Sequence, residues 1–341
     1  MLKEASRPLR GEETGAPHSL AKQGVKEVGE FKHRLSILIP TRDRPEDLRR
    51  LLASINGQTV LPERVIVVAS GTAASREATS GFPRLNVQYI HVNQAGTSWQ
   101  RNIGIRSLDP NCTLVAFFDD DVVLEPDALE KMLTFWETAP PEVGGAGFNF
   151  NNVLDLTTQR KWSLNSLARL YERLVIGNEP RGRVLPSGLP TPIFPTTETV
   201  RVDWLETLGL TLRREVVKEF AFDDFFAGYS YLEHVEYTYR VSRRYKLFAV
   251  SDARVTHYSR PIRNGYALGK MQVVNRIHFV RKHKELSSPQ CYLALLLHMF
   301  FNVAVGVLLR DPGYMKRACG NCVGLAQVAG GRMAPVAGDV R

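Results

Sequence analysis

The chain has 341 residues, 44% of them hydrophobic, with 44 basic against 35 acidic residues and a formal charge of +9. That is a globular composition, long enough for one large domain with an appendage or for two modest domains. Four cysteines, Cys112, Cys291, Cys319 and Cys322, are too few and too unevenly placed to frame a disulfide-built fold, and they fit a reducing compartment. The first segment, Met1 to Lys32, is rich in charge, Gly and Ser and has no continuous apolar core. It reads as a flexible N-terminal extension rather than a secretory signal, so export is not indicated.

The first strong element is the apolar run Leu35-Ser-Ile-Leu-Ile-Pro40, a buried strand. A helix is expected from Pro45 to Ile55, because Leu48, Leu51, Leu52 and Ile55 recur at spacings of three and four and Glu46 and Asp47 stand at its favourable N-terminal end. Arg64 to Val68 is a second apolar strand closed by Ser70-Gly71. Strand, helix and strand imply a parallel crossover. Val87 to Val92 is a third strand, Ser98 to Ser107 a helix, and Leu114 to Phe118 a fourth strand that runs directly into Asp119-Asp120-Asp121. The pattern predicts an α/β domain over 33–265 with a mostly parallel sheet flanked by helices.

Within 151–200 an amphipathic stretch (Leu164, Leu167, Leu170, Leu174) precedes a segment holding Pro180, Pro186, Pro190, Pro192 and Pro195. The proline segment reads as a long acceptor-side loop, and loops of that length inside a domain are commonly lids or binding loops. Helices are expected at Arg213 to Phe220 and Glu233 to Arg244, and a strand at Leu247 to Val250 followed by His257.

The remainder, 266–341, reads as a helical, basic and apolar extension that associates with a membrane. From Arg281 onward eight Lys or Arg face three Asp or Glu, and Cys291 to Leu309 carries no formal charge. That stretch is close to the roughly 20 residues a span requires, but His298, Asn302 and Gly306 weaken it. An interfacial helix or hairpin, a span and a buried helix all remain open. Basic residues that flank an apolar run, rather than interleave with stacking aromatics, argue against nucleic acid. The Cys319-Gly-Asn-Cys322 pair lacks two further ligands for zinc.

In parallel α/β sheets ligands bind where the carboxyl ends of strands converge with helix N-termini. Here that edge receives Thr41 to Arg44, Ser70-Gly71, Asn93 to Thr97 and the three aspartates. Three adjacent carboxylates at the end of an apolar strand repel one another unless a cation neutralises them, and hard oxygens suit Mg²⁺ or Mn²⁺. Such an ion offsets the charge that develops on a departing diphosphate.

From about Leu35 to Pro261 the chain resembles the family 2 glycosyltransferases, the inverting group with the GT-A fold. The matching pieces are SILIPTRDRPEDL, RVIVV, NQAGTSWQRNIGI, FFDDDVVLEPDAL, WLETLGLTLRREV and LEHVEYTYR with the later His257, in that order. The resemblance implies that Asp119 and Asp121 form the DxD pair, with Asp121 most directly on the metal, Asp119 as a second metal ligand, and Asp119 and Asp120 in contact with the ribose or sugar. It implies His257 as a further metal ligand, and donor contacts from Pro40, Thr41, Arg44, Gly96, Arg101 and Asn102. Arg101 suits a phosphate by its planar fork. Trp204 would line the acceptor side, where its face can stack on a sugar ring. The implied partners are a nucleotide-diphosphate sugar and a glycan or lipid-linked acceptor at the cytoplasmic face of the cell membrane.

Three departures qualify the resemblance. After the second strand the family carries an acid that reads the nucleobase, where this chain has Ala69-Ser70. Thr207 stands where a glycine is common. The family's Glu-Asp motif supplies the catalytic base, and here the same place reads Glu233-His234. Either side chain can take a proton from an acceptor hydroxyl.

Three further readings compete. Asp119-x-Asp121-Val-Val also fits haloacid dehalogenase-like phosphatases, but that fold starts with this strand and needs a partner lysine. A nucleotidyltransferase of similar architecture wants a glycine- and lysine-rich loop after the first strand, and TRDRPEDL has no glycine. A non-catalytic nucleotide-sugar-binding or membrane-interaction protein of the same fold is favoured by the missing aspartate and opposed by the retained carboxylates.

Overall fold

A computed structural model of the chain describes residues 31–151, 173–258 and 264–336. The N-terminal extension up to residue 30 and the leucines 164, 167 and 170 lie outside the described residues. The first half alternates strand and helix: β1 (Leu35–Arg42), α1 (Pro45–Asn56), β2 (Arg64–Ser70), the single turn α2 (Ala74–Glu77), β3 (Val87–Val92), α3 (Thr97–Arg106) and β4 (Leu114–Phe118). Seven of the eight residues of β1 and all five of β4 are buried, as expected of strands covered on both faces. α1 buries the expected stripe of Leu48, Leu51, Leu52 and Ile55 and starts on Pro45 with Glu46 and Asp47 in its first turn.

β5 (Val122–Leu124), α4 (Ala128–Thr138), β6 (Val143–Phe150), β7 (Val200–Val202), β8 (Gly209–Arg213), α5 (Arg214–Glu219), α6 (Glu233–Ser242) and β9 (Lys246–His257) complete the sheet. The strand order is β3-β2-β1-β4-β8-β6-β9-β5, with β7 on β9. The ladders β3-β2-β1-β4 are parallel. Beyond β4 the sheet is mixed: β8 is antiparallel to β4 and β6, β9 is parallel to β6, and β5 and β7 are antiparallel to β9.

This switch of direction builds the functional edge. Because β8 is antiparallel to β4, Gly209 pairs with Phe118, and the lead-in to β8 with Trp204 and Glu206 arrives where the aspartates leave β4. Because β9 is antiparallel to β5, His257 pairs with Val122 and arrives beside Asp121. The sheet carries no side chain at Gly147 of β6, where a Cβ would sit 2.5 Å from Leu205 Cδ2. That bare spot lets the fully buried Leu205 press the lead-in onto the sheet.

Three helices follow: α7 (Gly265–Lys282), α8 (Ser288–Leu309) and α9 (Pro312–Ala329). α7 and α9 lie so close that a Cβ on Gly269 would meet the Arg317 carbonyl oxygen at 2.0 Å. These helices hold a second apolar cluster, including Leu268, Met271, Val274, Ile277 and Leu295. α8 buries Cys291, Ala294, Leu295, Val305 and Gly306 and exposes Leu293, Leu296, Phe300, Val303, Val307 and Leu308. Among the described residues it alone is long and apolar enough to cross a membrane.

An ion network joins α7 to the sheet domain. Asp223, in the loop before α6, accepts hydrogen bonds from His278 Nε2 at 3.0 Å and Lys282 Nζ at 2.6 Å. On α6, Glu236 meets Arg240 Nε at 3.0 Å, Lys282 Nζ at 2.8 Å and His283 Nε2 at 3.5 Å. The His278 bond, aided by Lys282, holds the Asp223 carboxyl well below the usual range against an opposing effect of burial. Burial alone would raise Glu236, but the His283 and Arg240 bonds outweigh it and bring it to about 2. Both folded-state values are depressed, so this contribution is full above the unfolded range near pH ~4 and disappears as pH falls through the folded values. Thermal midpoints should therefore fall steeply between about pH 4 and 2 as this contribution is lost. In Glu236→Gln the midpoint at neutral pH should be lower and that fall shallower.

Candidate active site

The three aspartates end β4 but do not share one environment. Asp119 is paired with Arg101 Nη2 at 2.6 Å, and the other arm, Nη1, lies 2.7 and 2.9 Å from the two carboxylate oxygens of Glu233. Asp120 is buried and accepts from Thr41 Oγ1 at 2.7 Å and Arg44 Nη1 at 3.0 Å. Asp121 is buried with Oδ1 3.3 Å from His257 Nε2 and Oδ2 3.7 Å from Arg44 Nη1. Burial raises the Asp120 carboxyl to about 7, although Arg44 and Thr41 oppose it.

Arg101 is 1% exposed. Burial disfavours its charge, but Glu233 and Asp119 outweigh that and raise its pKa further. The donor-phosphate contact expected of Arg101 is therefore corrected: its fork is turned inward and engaged by two carboxylates. Asn102 is likewise turned inward, its amide closing on the backbone N and O of Phe222 at 2.9 and 3.0 Å and so fixing the loop before α6. The half-buried Arg44 is the cation that stands beside Asp120 and Asp121. Gly96 caps α3 at the same edge and Pro40 is buried within β1. Gln100, absent from the sequence expectations, donates from Nε2 to the carbonyls of Thr41 at 2.9 Å and Val68 at 2.7 Å, tying the ends of β1 and β2. It stands in the matching piece NQAGTSWQRNIGI, directly before Arg101, but its role follows only from its burial on a helix leaving a glycine loop.

The metal set expected from the sequence comprised Asp119, Asp121 and His257. Asp121 and His257 come together and Asp119 does not join them. Among the described residues no group of three or more His, Cys, Asp or Glu side chains converges on one point. A buried carboxylate and an imidazole still form a fitting donor pair for a Mn²⁺-like ion, which ordinarily takes its other ligands from phosphates and water. The end of β2 lacks an acid of its own, and the carboxylate beside it is that of Asp43, which accepts from Thr72 N at 2.7 Å.

On the acceptor side, α6 begins with Glu233 and His234. Glu233 is 3% exposed, and burial raises its pKa against the pull of Arg101. His234 is partly open, with Nε2 3.3 Å from Glu206 Oε2 and its ring 5.8 Å from that of Trp204. Trp204 is buried and donates from Nε1 to the Thr191 carbonyl at 3.0 Å, so the proline segment supports it from behind. Glu206 is the other residue that the sequence did not single out.

Comparison with known proteins gives the family of this mixed α/β sheet, which gathers acids and two histidines on one edge. The profile of Glycosyl transferase family 2 matches residues 36–205, about half of the chain, and the chain belongs to that family. It is 31% identical over 107 residues to the uncharacterized glycosyltransferase YwdF of Bacillus subtilis (strain 168). That alignment takes in 31% of this chain, which spans about two fifths (39%) of the length of the curated relative it matches. The crystal structure of GalNAc-T7 with UDP, GalNAc and Mn²⁺ matches with a TM-score of 0.50 at 14% identity, over 67% of this chain and 44% of that one. The mannosyltransferase PcManGT from Pyrobaculum calidifontis, in complex with GDP-Man and Mn²⁺, gives 0.49 at 15% identity over 87% and 79%. The fold is GT-A.

Removing one member of the Arg101 triad leaves a buried charge uncompensated, which costs about 3–5 kcal/mol. Arg101→Ala should accordingly lower stability in urea titrations by about that amount. Arg101→Lys, which keeps the charge but not the fork, should lose less.

Proposed function

We propose that the chain is a metal-dependent inverting glycosyltransferase. It would move a sugar from a nucleotide-diphosphate donor to a hydroxyl of a glycan or lipid-linked acceptor, in cell-surface polysaccharide or glycolipid synthesis at the inner face of the membrane. The observation that carries this reading is the convergence at one sheet edge of Asp121, His257 and Arg44 on one side and His234 with Trp204 on the other.

In this reading Arg44 meets the donor diphosphate, and the buried Trp204 backs the His234 ring on the acceptor side. Asp121 and His257 would hold Mg²⁺ or Mn²⁺, which when bound supplies charge neutralisation for a departing nucleoside diphosphate. His234 rather than Glu233 serves as base, because the Glu233 carboxylate is committed to Arg101 inside the protein while the His234 ring borders the cleft. As the acceptor oxygen bonds to the anomeric carbon, its proton passes to His234 and the bond to the diphosphate oxygen breaks. Membrane association is supported by the exposed apolar face of α8 and by the exposed Lys284, Arg310 and Lys316 at its ends.

Calorimetric titration with UDP-, GDP- and dTDP-sugars should give binding to one donor that requires Mn²⁺ or Mg²⁺ and is lost in Asp121→Ala. Absence of binding to every donor with metal present would turn the reading to a non-catalytic protein of the same fold. The full chain should sediment with vesicles containing anionic lipid, and Phe300→Asp with Val307→Asp should leave it in the supernatant. Wild-type protein that stays in solution would remove the membrane from the account.

A further inference from the structure

We infer that Glu206 and His234 form a carboxylate–imidazole dyad that takes the place of an aspartate base, with Glu206 as the residue that positions His234. This rests on the reading of His234 as base and adds what makes that imidazole competent. Glu206 Oε2 lies 3.3 Å from His234 Nε2, both side chains being a little over one quarter exposed.

The pairing follows from how the two backbones are fixed. Thr238, one turn after His234 on α6, donates from Oγ1 to the His234 carbonyl at 2.5 Å. The same hydroxyl accepts from Leu205 N at 3.0 Å and lies 3.2 Å from the Leu205 carbonyl. Leu205 is itself buried against the bare surface at Gly147. Glu206, the next residue, therefore leaves a backbone tied to α6 before its side chain meets any partner. Trp204, on the other side of Leu205, is held through its indole to Thr191, and its ring stands 5.8 Å from the imidazole at a tilt of 41°.

A neutral imidazole has two tautomers, and only one leaves a given nitrogen able to accept a proton. With Nε2–H directed at Glu206, the lone pair is on Nδ1, and the carboxylate stabilises the imidazolium formed when the acceptor proton arrives. The other charged groups around the ring are Glu233, which precedes it on α6, and, behind Glu233, Arg101 on α3 with Asp119 at the end of β4. Glu233 and Asp119 are both paired with Arg101, and Glu206 is the carboxylate paired with His234.

An exposed ion pair contributes little to stability, so the test reads the imidazole and the turnover. In ¹⁵N NMR of the full chain, neutral His234 should carry its proton on Nε2, and Glu206→Gln should mix the tautomers. A wild-type Nδ1–H tautomer would overturn the dyad whatever the activity. With the donor found by calorimetry, Glu206→Gln should lower kcat about tenfold or more, within the range of general-base effects. It should also shift the acid limb of the rate profile to lower pH and leave donor affinity unchanged, and Glu206→Asp should restore part of the rate. In His234→Ala the further change Glu206→Gln should cost nothing more, as for residues that act as a unit. If Glu206→Gln leaves kcat and the pH profile unmoved while His234→Ala abolishes turnover, the dyad fails and the base stands. If His234→Ala keeps wild-type kcat, the base reading itself fails.

Discussion

The site depends on a guanidinium buried inside the protein. Arg101 arrives on α3 and is held by Asp119 at the end of β4 and Glu233 at the start of α6. A charge in that position is tolerable only when opposing charges and hydrogen bonds replace its hydration. The two carboxylates come from segments far apart in sequence, so the ion cluster joins three elements whose ends form the cleft. In the proposed reading it also keeps two acids out of the chemistry, drawing Asp119 from the metal pair and Glu233 from the acceptor.

Each of the three aspartates has its own set of partners. Asp119 meets Arg101, Asp120 meets Arg44 and Thr41, and Asp121 meets His257 with Arg44 nearby. Mutual repulsion, which from sequence alone demands one cation for all three, is resolved mainly by arginines. What remains for a divalent ion is the smaller pair Asp121 and His257. That pair forms because β9 runs antiparallel to β5, so a residue more than a hundred positions downstream ends beside the last aspartate.

The parallel half of the fold was legible because its strands are apolar runs, unbroken in β4 and interrupted by Gln88 and His91 in β3. Val87–Val92 and Leu114–Phe118 begin and end where the hydrophobic pattern does. The mixed half was not. β5 has only three residues, and β6 reads VGGAGFNF, where glycines replace the alternation that would mark a strand. α7 buries Gln272, Asn275 and Arg276 beside its apolar residues, which erases a one-sided stripe. At the site, the residue types were visible and their partners were not. An arginine after a glycine loop reads as a phosphate ligand, and only the fold turns it toward acids. Glu233 and His234 are neighbours in sequence, yet successive helix residues point about 100° apart, so one is buried and the other faces the cleft. Glu206 lies in the matching piece WLETLGLTLRREV without being singled out by it, and its meaning comes from a threonine on α6.

The claim at the centre of this account is a single displacement with a protein base on the acceptor side. The most direct measurement is the configuration of the sugar released first when the bound donor is slowly hydrolysed, with water in the acceptor's place. Proton NMR can read it before mutarotation. The account predicts the anomer opposite to that of the donor; release of the same anomer would contradict it.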